Sequence, residues 1–71
     1  MKYAIECRRR EANEDITISR SCLSFDKRTA NAAYLREIKS LLWDAVYMEK
    51  IYASGGVIDE KCWYKNPADN H

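Results

Sequence analysis

Apolar and polar residues alternate at the start of the chain. Tyr3, Ile5 and Cys7 take one side, and Lys2, Glu6, Arg8 and Arg10 the other, which predicts a half-buried strand over residues 2–11. Residues 16–25, ITISRSCLSF, repeat the pattern. Ile16, Ile18 and Cys22 share a side with Arg20, opposite Thr17, Ser19 and Ser21, and the β-branched residues favour a strand. The polar ANED between the two supplies Asn and Asp for a turn. The expectation is an antiparallel hairpin with its loop centred on residues 13–15. Bringing both apolar sets to one face sets either Cys7 or Ile5 opposite Cys22, with two thiols close together in the core.

The period then changes. Asp26 or Ser24 is placed to cap a helix. Tyr34, Ile38, Leu41, Ala45, Met48 and Tyr52 recur at spacings of three and four, and Leu35, Leu42 and Val46 widen the stripe. Arg36, Glu37, Ser40 and Asp44 fall on the other side. This predicts a helix over residues 27–44. Beyond it two readings stand side by side. In one the helix runs on to Ser54-Gly55-Gly56, which would cap its end. In the other it stops near Trp43–Asp44, AVYMEKIYA is a strand, and SGG turns a second hairpin into VIDEKCWYK. The fold class is α+β either way: an N-terminal antiparallel β-hairpin, one amphipathic helix, then one or two C-terminal strands completing an antiparallel sheet, as ββαβ or ββαββ.

Seventy-one residues suffice for one domain, taken as 1–65, with NPADNH at 66–71 as a polar, flexible tail. A chain this short buries a small share of its surface and gains from a staple, a metal or an oligomer. The long-helix reading overreaches a small sheet, and the overhang would favour a homodimer. No apolar run approaches the ~20 residues needed to span a bilayer, and MKYAIEC lacks the apolar stretch of a signal peptide. A cytoplasmic protein without membrane contact is expected.

Catalysis and cofactors are not expected. The chain has no glycine-rich phosphate loop and no HExxH pair. A Cys–His nucleophile pair would depend on His71, the last residue. Glu14–Asp15 and Asp59–Glu60 lie in or near turns, where solvated acids are the simpler reading. The three cysteines, Cys7, Cys22 and Cys62, include no CxxC, and with His71 they match no zinc spacing, so no metal is expected either. A reducing compartment leaves the thiols unpaired.

Charge directs attention to binding. The net charge is +1, but residues 1–40 carry nine Lys/Arg against six Asp/Glu, whereas the remainder carries three against five. Arg8 and Arg10 lie on the open side of the first strand, with Arg9 on the core side. Lys27 and Arg28 lie at a helix start, where cations oppose the macrodipole. Arginine forks suit phosphates and carboxylates alike. Nearby acids blunt non-specific phosphate binding, so a protein partner and direct nucleic-acid binding both stay open. On the helix, Trp43 and Tyr47 fall one turn apart, away from the core stripe. Tyr and Trp are enriched at interface hot spots. The candidate partner-binding residues are therefore Arg8, Arg10, Lys27, Arg28, Trp43 and Tyr47.

The stretch SCLSFDKRTANAA, a strand ending in LS and then a helix opening with KR and small residues, resembles small phage-encoded anti-CRISPR proteins that block type I effectors. The closing GGVIDEKCWYKN is similar to their C-terminal hairpin. The resemblance covers about half the chain. It implies a non-enzymatic inhibitor that binds stoichiometrically to a host complex handling nucleic acid, presenting charged residues to the complex's DNA-binding surface. Lys27 and Arg28 are the positions that match. A dimeric DNA- or RNA-binding regulator is the alternative.

Overall fold

Residues Lys2–Glu11 (β1) and Glu14–Ser24 (β2) form the N-terminal antiparallel hairpin. The structure is a computed structural model. It describes residues 1–11 and 14–66, with the backbone alone described at 11, 14–18, 21 and 22. The tail expected at 66–71 lies outside the described residues from position 67 onward, as do Ala12 and Asn13 of ANED. Glu14 and Asp15 belong to β2, not to the turn.

The hairpin register differs from expectation. Cys7 pairs with Ser19 and Ile5 with Ser21, so neither faces Cys22. Irregularities between Tyr3 and Ile5 and between Cys7 and Arg8 each give β2 one extra residue. Each such bulge shifts the pairing by one and exchanges the faces of the residues beyond it.

Asp26 starts the helix α1 (Lys27–Lys39). Its carboxylate accepts from the Arg28 N–H at 3.1 Å and from the Thr29 hydroxyl at 2.8 Å. The Thr29 bond, then the Arg28 bond, holds this carboxyl below its ordinary range. The helix ends five residues short of the expected 44. The Ser40 hydroxyl donates to the Glu37 carbonyl at 2.6 Å, and Leu41 turns into the left-handed region at φ 59°. That conformation ends a helix and is usually given to glycine. Leucine accepts it at an energetic cost.

The two-hairpin reading is the one observed. Ala45–Ile51 (β3) and Val57–Tyr64 (β4) complete a sheet of order β2-β1-β3-β4, antiparallel throughout. A three-residue loop joins them: Tyr52 and Gly56 close it, the Gly55 N–H reaches the Tyr52 carbonyl at 2.9 Å, and Gly55 has φ 97°. The architecture is α+β, ββαββ. With α1 ending at Lys39, the overhang that favoured a homodimer is gone.

α1 covers one face of the sheet. Tyr3, Ile5 and Cys7 of β1 and Val46 and Met48 of β3 pack against Ala30, Ala33 and Tyr34, with Trp43 in the same cluster and Ile38 and Trp63 at its margin. Glu37 reaches into this core, where Oε2 accepts from the Cys7 thiol at 3.3 Å and from Trp43 Nε1 at 2.9 Å. Among the described residues no helix is long and apolar enough to cross a membrane.

Candidate partner-binding surfaces

The six candidate residues separate into four places. Arg8 and Tyr47 come together on the sheet face that α1 leaves open, with the guanidinium 4.6 Å from the ring centre. They meet because Glu6 pairs with Tyr47 and Arg8 with Ala45 across β1 and β3. Arg10 lies at the end of β1, where its backbone N–H donates to Asp44 Oδ2 at 2.6 Å. Lys27 and Arg28 open α1. Trp43 is in the core.

Two placements are corrections. Trp43 and Tyr47 do not share an outer helix face, because the helix stops before them. Trp43 is 9% exposed, with its N–H held by Glu37. Tyr47 is 8% exposed on β3. Its ring lies beneath Arg8 and edge-on to Tyr64, 5.9 Å between centroids, and its hydroxyl donates to the Tyr64 hydroxyl at 3.2 Å. Burial, then that bond, pushes the Tyr47 phenol up to about 12.

On the open sheet face two arginines are neutralised from within the sheet. Arg8 Nε and Nη2 both donate to Glu6 Oε2, at 3.2 and 2.9 Å. Arg20 Nη2 donates to Glu49 Oε1 at 2.6 Å, reaching across β1. The glutamates lie beneath: Glu49 has an 8% exposed side chain and Arg20 one that is 52% exposed. Long arginine stems cover the sheet while their heads stay wet. Arg8 and Arg20 each already have a carboxylate, so a phosphate gains little at either.

Cys7 and Cys62 do not converge. Cys7 faces the core, whereas Cys62, opposite Tyr47 on β3, is exposed on the open face. Among the described residues no three potential metal ligands cluster.

The outer face of α1 is different. Lys27 is neutralised by Glu60 of β4 at 2.9 Å, and this contact raises the lysine pKa and lowers that of the glutamate. Arg28, Arg36 and Lys39 have no carboxylate within ion-pair distance among the described residues. At 3.6 residues per turn these three, with Ala32 and Leu35, fall within an arc of roughly 100°, away from Ala30, Ala33 and Tyr34. Ala32, Leu35, Arg36 and Lys39 line a shallow depression of about 430 Å³. The acid of this helix, Glu37, is turned inward to Trp43 and Cys7.

Comparison with models of known protein families, with curated proteins and with solved structures finds no match.

Of the candidates read from the sequence, Arg28 alone lies on this unpaired face. Arg36, Lys39, Leu35 and Ala32 were missed as site residues. They follow Arg28 in successive steps of three and four, and that is the signal that was available.

Proposed function

We propose that the protein acts without catalysis, by stoichiometric attachment to a protein complex that handles nucleic acid, which it inhibits or modulates. This is the role that the resemblance to phage inhibitors of type I effectors implies. One observation carries the reading. Positive charge is compensated at Arg8 and Arg20 on the open sheet face and at Lys27, whereas among the described residues no carboxylate pairs with Arg28, Arg36 or Lys39 on the outer face of α1. Unpaired arginines on a rigid element are pre-organised to engage carboxylates or phosphates bidentately. The surface that meets the partner is therefore the helix, not the Arg8–Arg10 strand.

The experiment is affinity purification from the cells that carry the gene, with wild type and with Arg28→Glu/Arg36→Glu/Lys39→Glu side by side. The expected result is a nucleic-acid-handling complex recovered by wild type and depleted at least roughly tenfold by the variant, since like charges juxtaposed across an interface oppose binding strongly. Equal recovery would end the assignment to this face.

A further inference from the structure

We infer that the segment seated on α1 is an acidic amphipathic stretch of the partner protein. It places an apolar side chain over Ala32 and Leu35 and directs carboxylates to Arg28, Arg36 and Lys39. This rests on the binding role proposed above and adds the chemistry of the occupant.

Three features select that occupant. The first is charge. Arg28 and Lys39 stand about 17 Å apart along the helix axis, with Arg36 between them. No carboxylate pairs with any of the three among the described residues. Glu37 is committed to Cys7 and Trp43 and does not compete.

The second is the floor. Leu35 is 44% exposed. Ala32, one turn earlier, is small enough for a backbone to come close. Together they form an apolar base with cations at its rim. A charged frame around an apolar base matches an amphipathic protein segment. A phosphodiester backbone offers nothing apolar to set on Leu35, so a nucleic acid would use the rim and leave the floor wet.

The third is contrast with the other faces. On the sheet, Arg8 and Arg20 are already held by Glu6 and Glu49, and an incoming carboxylate would have to displace a partner.

The test uses two synthetic peptides of about four helical turns and equal negative charge. One carries Leu and Trp on one face with Glu on the flanks; the other has Gln in place of the apolar residues. A short DNA duplex is the third probe. Amide shifts of the labelled protein map the site, and titration gives affinity. The expected result is shifts centred on residues 28–39, with the amphipathic peptide binding at least roughly tenfold more tightly than its Gln counterpart, about the effect of burying one large apolar side chain. Leu35→Asn, at an exposed position, should erase that preference. Equal affinity for the two peptides, tighter binding of the duplex, or shifts confined to the sheet would overturn the inference. If the peptides fail while the triple charge reversal still loses the cellular partner, the occupant is wrong and the binding face stands. If the reversal keeps the partner, the face itself is wrong.

Discussion

Trp43 Nε1 donates to Glu37 Oε2 at 2.9 Å, which ties the last turn of the helix to the segment leading into β3. The same oxygen takes the Cys7 thiol from β1. One carboxylate therefore joins the helix, β1 and the helix–strand connection. It also leaves the outer surface of α1 free of negative charge.

Replacing Glu37 with Ala strands a buried indole N–H, at a cost of about 1–3 kcal/mol. In a domain of this size each kcal/mol lowers the melting temperature by roughly 4–8 °C. Glu37→Gln keeps an acceptor and should lose less than Glu37→Ala. Urea unfolding followed by tryptophan fluorescence measures both. An Ala variant as stable as wild type would show that this bond contributes nothing.

The buried thiol makes the fold sensitive to alkali. Burial, followed by the bond to Glu37, raises Cys7 from its ordinary 9.0 to about 12, and burial raises Tyr47 from 10.0 to about 12. Both groups keep their protons longer when folded. The unfolded chain therefore releases protons first, and stability falls as pH rises. Full stability is expected below pH 9, with a decline from there to 12. In Cys7→Ala the decline should begin about one pH unit later, where Tyr47 takes over. An unchanged alkaline limb in that variant would remove Cys7 from the explanation.

On the open face, Arg20 shields a carboxylate that would otherwise lie buried and unpaired. Breaking a fully buried pair costs about 3–5 kcal/mol; because Arg20 is half exposed, Arg20→Met should cost less, about 1–3 kcal/mol. Arg20→Met/Glu49→Leu should recover part of that loss, because no charge is left stranded. A double variant as unstable as the sum of the two single ones would mean that the residues do not interact.

The two N-terminal strands were legible because β1 keeps Tyr3, Ile5 and Cys7 on one side and Lys2, Glu6, Arg8 and Arg10 on the other. β3 was not. It is central, and its first five residues are buried on both faces, which erases the alternation that marks a strand. Ala45, Met48 and Tyr52 also happen to fall at helical spacing, so the strand read as well as helix. The true helix end carries no glycine, since Leu41 takes the left-handed position itself. Register was hidden for a related reason: the bulges in β2 leave no mark in composition. At the surface, Lys27 and Arg28 look equivalent in sequence. They differ because the irregularity in β4 between the partners of Met48 and Glu49 brings Glu60 to Lys27 alone.

The most direct measurement compares two charge variants in the same affinity purification: Arg28→Glu/Arg36→Glu/Lys39→Glu on the helix and Arg8→Gln/Arg10→Gln on the strand, both checked for a wild-type circular dichroism spectrum. The expected result is loss of the partner complex by the helix variant and retention by the strand variant. Retention by the helix variant with loss by the strand variant would contradict the assignment and return the binding surface to the first strand.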